Sequence, residues 1–458
     1  MKTQQLSLRT HNFIKFFGVL LFSYLFLISI SYTKDVSYQP LITIFIALCF
    51  FALFKVVDSL LPKVGIRPII IGLIFIGLLI RLYWVINIMT EPISDFSHYH
   101  QKAISLAKGE AIVHKNIGFV LLLSIGYKIF PDVFTGKLIN VGFSTFSLIF
   151  LYLIGKKLLD ERKALYALLL FTFLPSEIAM CSVLGSEVIV SWASITVLYF
   201  MVKSNDFQIQ RPKEILFLLI SGFFYGLSLT LKTVMIFYFP AILVGFFIAN
   251  VRNTYEFLKT LVCFKFGIFL GITTISLIYT LMSGSFTFDI FIAQDPLPLL
   301  YGTNTASQGQ WNMADTELYY SFPYNERFKL TVNEALDRIK DKPMDFILLI
   351  PIKLYHLMAQ NDYGNEWNLL YVNMGARNLL FALLSQAVYV LIMGLSLYSC
   401  YTSPKGDNTF LITTVIFLIV STLIPHVILE SQSRYHHHLL PFIILLAANG
   451  ISKILSKP

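Results

Sequence analysis

The sequence predicts an all-α polytopic membrane protein of about twelve transmembrane helices, and three observations carry that prediction. Hydrophobic residues make up 56% of the chain against 13% charged, with a mean hydropathy of +0.71, a balance that no water-exposed surface can accommodate. Apolar runs long enough to cross the hydrocarbon recur along nearly all 458 residues. They lie near 13–32, 38–55, 69–89, 137–155, 164–181, 186–202, 214–231, 233–250, 260–282, 377–400, 409–428 and 438–455. The first is longer than the apolar core of a signal peptide, although Ser29 and Ser31 loosely resemble a cleavage site, and is expected to stay as an anchor.

The third observation is the placement of basic residues, which are retained on the cytoplasmic side of membrane spans. With the amino terminus inside, the short cytoplasmic segments hold Lys2, Arg9, Lys15, Lys55, Lys63, Arg67, Lys156, Lys157, Arg162 and Lys163. Lys203, Arg211, Lys213, Arg252, Lys259, Lys405, Lys453 and Lys457 continue the series. The short outer loops offer little beyond Lys34, Lys232 and Arg434. Both termini are therefore expected in the cytoplasm of a cell-membrane protein. The net charge of +9 reflects this topology and gives no ground for a nucleic-acid partner.

Two outer segments are too long to be connectors, one from about 90 to 136 and one from about 283 to 376. They divide the chain into an amino-terminal hairpin (1–60), a transmembrane core (61–282) containing the first outer loop, a large outer loop (283–376) and carboxy-terminal helices (377–458). The large loop combines amides and aromatics, from Gln294 and Asp295 through Tyr301 and Asn304 to Gln310, Trp311 and Asn312, followed by an expected helix from Asn325 to Asp341. Such content suits a sugar, and it equally suits a folded cap. Cys49, Cys181, Cys263 and Cys400 show no paired spacing, so neither a disulfide framework nor a zinc site is indicated. Gly222 with Gly226 and Gly267 with Gly271 have the spacing of close helix packing.

Charged residues near these spans single out one face. After Ser94 and Asp95, the positions Phe96, Tyr99, Ala103, Leu106 and Ala107 share one side of a helix, which predicts an amphipathic helix on the outer surface. Capping of that helix explains a lone Asp95 as well as catalysis does. Glu187 falls at the outer mouth of the sixth span, with Glu177 a few residues earlier, and carboxylates so near hydrocarbon face a cavity or a partner. Lys232 and Arg434 lie on the same side and have the chemistry to hold a lipid phosphate. His436, His437 and His438 are consecutive, so on a helix they point apart and do not converge on one metal ion. Arg81, inside the third span, either snorkels or pairs with an acid in the bundle.

The residues Pro92 to Ala103 with Leu106 and Gly109, Pro175 to Glu187, Gly222 to Lys232, and Ser433 to Tyr435 with Pro441 together resemble the GT-C membrane glycosyltransferases. That group includes the protein O-mannosyltransferases, the aminoarabinose transferases of lipid A and bacterial relatives that modify polysaccharides. The resemblance implies a polyprenyl-phosphate sugar as donor and, as acceptor, an envelope polysaccharide, lipid or protein, with membrane lipids as surroundings. It implies Asp95 as catalytic base and Glu187 as a second acid. Lys232 and Arg434 would hold the lipid phosphate, with Tyr435, Arg81 and Tyr99 as further substrate contacts, and the transfer would invert the anomeric carbon. No cofactor or metal is required, although some relatives bind divalent ions near the acids. The absence of an Asp-x-Asp pattern favours a lipid-linked donor over a nucleotide sugar. A lipid-linked polysaccharide polymerase or ligase, and a flippase or transporter of lipid-linked sugars, are the rival readings.

Overall fold

The computed structural model describes residues 2–32, 38–114, 116–204, 212–249, 253–286, 296–369, 376–402 and 409–455. Lys34, Arg211, Arg252, Lys405, Lys457, Gln294 and Asp295 lie outside them. All regular structure among the described residues is helical. Three long apolar helices come first, α1 (Lys2–Ser31), α2 (Gln39–Val64) and α3 (Ile66–Asn87), then two short ones, α4 (Asp95–Ala107) and α5 (Ile117–Tyr127). Next come α6 (Val133–Leu158), α7 (Glu161–Thr172), α8 (Pro175–Met180), α9 (Glu187–Lys203), α10 (Pro212–Leu231), α11 (Tyr238–Ala249) and α12 (Thr254–Ser283). A helical excursion follows as α13 (Leu297–Thr303), α14 (Met313–Ser321), α15 (Arg327–Asp341), α16 (Pro343–Met358) and α17 (Tyr363–Leu369). The chain closes with α18 (Ala376–Thr402), α19 (Thr409–Leu423) and α20 (Leu440–Leu455).

Each of the twelve expected runs coincides with helix, but eight segments among the described residues are long and apolar enough to cross a bilayer unaided. The other four fall short for local reasons. The run expected at 164–181 breaks into α7 and α8 because Pro175 opens a new helix and its ring disfavours helical backbone at Leu174. Helix α9 has 17 residues, and the run expected at 233–250 begins with a 3-10 turn, Thr233–Phe247 being its apolar part. The run expected at 409–428 ends in another 3-10 turn at Pro425. Helices α7, α9 and α20 are almost wholly buried at the bundle centre, whereas α1, α2, α3 and α12 leave Phe13, Phe45, Ile71 and Phe266 exposed. Long apolar surfaces of this kind require lipid, so the chain is a multi-pass membrane protein.

Glycines let α10 and α12 touch backbone to backbone. A Cβ at Gly222 would stand 2.2 Å from the Phe264 carbonyl oxygen, and one at Gly271 would stand 2.3 Å from that of Phe223. The spacing read in the sequence is thus a packing device. Gly222→Ala forces these helices apart and is expected to cost about 1–3 kcal/mol, measurable as a lower unfolding midpoint in detergent.

The excursion between α12 and α18 sits beside the segment that links α19 to α20. Arg338 on α15 pairs with buried Asp315 on α14 at 2.8 Å. Lys353 on α16 is fully buried and donates from Nζ to the carbonyls of Gly302 at 2.6 Å and Val427 at 2.8 Å. The Glu430 N–H donates to Pro298 O, and the Ser431 N–H to Gly309 O. Burial lowers the Lys353 ammonium to about 7. Between that value and its ordinary one near 10.4, the unfolded chain binds a proton that the folded chain lacks, so stability rises with pH through this window. Wild type is expected to gain thermal stability from pH 7 to 9.5 relative to Lys353→Met. Parallel curves for the two proteins would refute this role.

Candidate active site

Helix α4 begins at Asp95 after Ser94, whose φ of 50° with ψ of −132° is a conformation that non-glycine residues avoid. Strained backbone of this kind persists where the surroundings fix it, and it clusters at functional sites. Ser94 makes no side-chain capping bond. The Asp95 carboxylate instead accepts from Arg434 Nη2 at 3.3 Å, across 339 residues of sequence, and stays 47% exposed. The amphipathic pattern positions it: Phe96, Tyr99, Ala103 and Leu106 are buried beneath α4.

Arg434 occupies a 3-10 helix, Ser433–Leu439, immediately before α20. Its guanidinium is an organiser with three kinds of partner. Nε donates to Gln432 Oε1 at 2.9 Å, Nη2 reaches Asp95, and Nη1 lies 4.0 Å from Glu187 Oε1. The guanidinium carbon also stands 4.8 Å from the Trp367 ring centroid, 5.4 Å from Phe96 and 5.6 Å from Tyr435. Aromatic faces attract a cation while excluding water, so Arg434 is held in place and weakly hydrated.

Glu187 opens α9 and is 4% exposed, and Lys232, between α10 and the following 3-10 turn, donates to its Oε1 at 2.6 Å. Burial pulls the Lys232 ammonium below its ordinary range, with the Glu187 charge opposing that pull. Lys232 also lies 5.5 Å from the Tyr435 centroid. The Tyr435 hydroxyl donates to Glu430 Oε2 at 2.9 Å, and Gln432 donates to the other oxygen of that carboxylate. Burial raises the Glu430 carboxyl, and Arg434 opposes the rise.

Asp95, Glu187, Lys232, Arg434 and Tyr435 are therefore brought together. A narrow cleft opens among Glu187, Lys232, Arg434 and Tyr435, with Val190, Val234, His437 and His438 completing its wall. Tyr99 stands close enough for Asp95 and Glu187 to act on it, and burial holds its phenol well above the ordinary value. Its hydroxyl accepts from Asn116 Nδ2 at 2.7 Å.

Arg81 is not part of this group. It neither snorkels nor meets an acid directly. Its guanidinium donates to the Phe171 and Thr172 carbonyls at the break between α7 and α8. Nε donates to Ser144 Oγ at 2.6 Å, and Ser144 donates to Glu177 Oε1 at 2.6 Å. Glu177 Oε2 then lies 2.7 Å from His437 Nε2, whose other ring nitrogen meets the Tyr363 hydroxyl at 2.6 Å. This buried chain runs from the third helix to the wall of the cleft.

The three histidines diverge, as consecutive helical residues must. His436 Nδ1 faces the Leu357 carbonyl, His437 takes Tyr363 and Glu177, and His438 reaches the cleft. Among the described residues no group of three metal-ligating side chains forms. Sequence reading missed Trp367, Gln432, Glu430 and the cleft-facing roles of His437 and His438. Only the histidine run gave a local signal.

Solved structures share this architecture. The archaeal oligosaccharyltransferase AglB from Archaeoglobus fulgidus, in complex with an inhibitory peptide and a dolichol-phosphate, superposes with a TM-score of 0.54 at 12% identity over 87% of this chain and 51% of that one. The same archaeon's oligosaccharyltransferase tethered to an acceptor peptide containing the NVT sequon gives 0.52 at 14% identity, over 87% and 50%. The chain spans about half the length of these proteins. They show a shared membrane-helical fold. Residues 114–280, from the approach to α5 into α12, match the family model described as dolichyl-phosphate-mannose-protein mannosyltransferase. None of the curated proteins matches it closely enough to count as a relative.

Proposed function

We propose that this protein is a GT-C-type glycosyltransferase that moves a single sugar from a polyprenyl-phosphate carrier to a hydroxyl of an envelope acceptor on the outer face of the cell membrane. The observation that carries the reading is the pairing of a half-exposed acid, Asp95, with a buried, aromatic-caged cation, Arg434, which lines a cleft together with Glu187 and Lys232. The matching family's description, which names a lipid phosphate sugar, supports that donor class.

The chemistry balances within these groups. Asp95 and Glu187 offset the charges of Arg434 and Lys232. Asp95 accepts the proton of the acceptor hydroxyl as its oxygen attacks the anomeric carbon, and the bond from that carbon to the phosphate oxygen breaks. The departing polyprenyl phosphate gains one negative charge while Asp95 loses one. Arg434 and Lys232 stabilise the growing charge in a desolvated setting where such stabilisation is strongest. Attack opposite the leaving group inverts the anomeric carbon. Glu187 holds Lys232 in register, Tyr435 flanks both cations, and Tyr99 supports the turn that presents Asp95. The site needs no metal for this sequence of events.

Incubating the purified full-length protein with polyprenyl-phosphate monosaccharides and envelope acceptors, and assigning the product's anomeric configuration, tests the reading. An inverted glycoside is expected. The likeness to oligosaccharyltransferases keeps a ligase acting on a diphosphate-linked oligosaccharide as the second reading. Turnover of that donor alone would establish it.

A further inference from the structure

The third histidine of the run has no assigned task, and its surroundings supply one. His438 is 4% exposed and lines the cleft beside Lys232 and Val234, yet its Nε2 has no hydrogen-bond partner within the protein. Its neighbours are otherwise committed. His436 is bonded to Leu357 O, and His437 is engaged by Tyr363 and Glu177. The His438 main chain is fixed too, since the Tyr238 hydroxyl donates to its carbonyl at 3.2 Å and the two rings lie 5.3 Å apart. A buried polar atom left unpaired destabilises the fold, so a native position that keeps one is poised for a partner that arrives from outside. Across the cleft, Glu187 Oε2 is likewise buried and without a hydrogen-bond partner.

We propose that His438 Nε2 is a recognition contact for an oxygen of the donor's phosphate-sugar head, reached through the cleft between Lys232 and Val234. This rests on the lipid-linked donor reading. Imidazole nitrogen donates or accepts according to tautomer, so it serves either a phosphate oxygen or a sugar hydroxyl. The cations hold charge from the mouth of the site, while His438 adds a directional bond from its wall. Directional bonds to buried polar groups discriminate between ligands more sharply than apolar contacts do.

The test uses full-length wild type, His438→Phe and His438→Gln in lipid nanodiscs, with affinities measured for sugar-free polyprenyl phosphate and for polyprenyl-phosphate sugar. Phenylalanine keeps the ring and removes the nitrogen. Replacing an unpaired buried polar atom by an apolar one is neutral or stabilising, so His438→Phe is expected to melt no lower than wild type without ligand. It is also expected to bind the sugar-loaded lipid about tenfold more weakly, the value of one ordinary hydrogen bond. His438→Gln restores part of the affinity. Equal weakening toward both lipids assigns the contact to phosphate, and weakening toward the sugar-loaded lipid alone assigns it to a sugar hydroxyl. Wild-type affinity for both lipids in His438→Phe overturns the proposal. Failure of wild type to bind either lipid overturns the donor reading and this inference with it.

Discussion

Asp95→Asn is expected to lower sugar transfer by about 10²–10⁴-fold, the range associated with loss of a general base. Asparagine preserves the size and the hydrogen-bonding oxygen that faces Arg434 Nη2, but it cannot take up a proton. The side chain is 47% exposed, so folding should be unaffected and the unfolding midpoint should match wild type. Arg434 retains Gln432 and Glu187, and donor binding is expected to persist. The result to look for is a fall in kcat with little change in KM for the lipid donor, which marks an interaction made in the transition state. Transfer at the wild-type rate would remove Asp95 from the mechanism. A fall in donor affinity with kcat intact would make it a partner of Arg434 and nothing more.

How far the sequence foretold this site depends on the range over which each signal acts. The α4 pattern was readable because four buried positions recur at helical spacing within 13 residues. The glycine pairs on α10 and α12 were readable for the same reason, and the helix expected at 325–341 forms as α15. Pro175 announced a break, but the apolar run continues through it, and hydropathy alone joined α7 to α8. Helix α5 was absorbed into the first outer loop because 11 residues are too few to span a bilayer. Trp367, Glu430 and Gln432 belong to segments with no periodicity of their own. What gives them meaning is Arg434, and only the tertiary fold brings it to Asp95. Arg81 is the converse case. Its position in a membrane helix suggested snorkelling or an acid partner, and the family resemblance a substrate contact, whereas it donates to carbonyls at the end of α7 and reaches Glu177 only through Ser144.

The second large effect concerns the pair behind the base. Glu187 and Lys232 are 4% and 16% exposed, so each ion depends on the other for compensation. Lys232→Met leaves the Glu187 carboxylate with Arg434 at 4.0 Å as its nearest cation, and is expected to cost about 3–5 kcal/mol, the usual penalty for stranding a buried charge. Glu187→Gln strands the ammonium in turn. Burial already pulls Lys232 below its ordinary range while Glu187 holds it up, so losing Glu187 drives it further down and toward the neutral amine. The double replacement Glu187→Gln with Lys232→Met removes both charges and should recover most of the lost stability, because a buried pair replaced as a unit is often neutral. Activity should follow a different course. The double variant lacks one of the two cations facing the leaving phosphate, so its transfer rate stays low however well it folds. Unfolding midpoints and donor turnover measured on the three variants separate the two roles: recovery of stability without recovery of rate is the expected outcome. Recovery of both would reduce the pair to a structural clasp, and single variants as stable as wild type would show that the buried pair does not form.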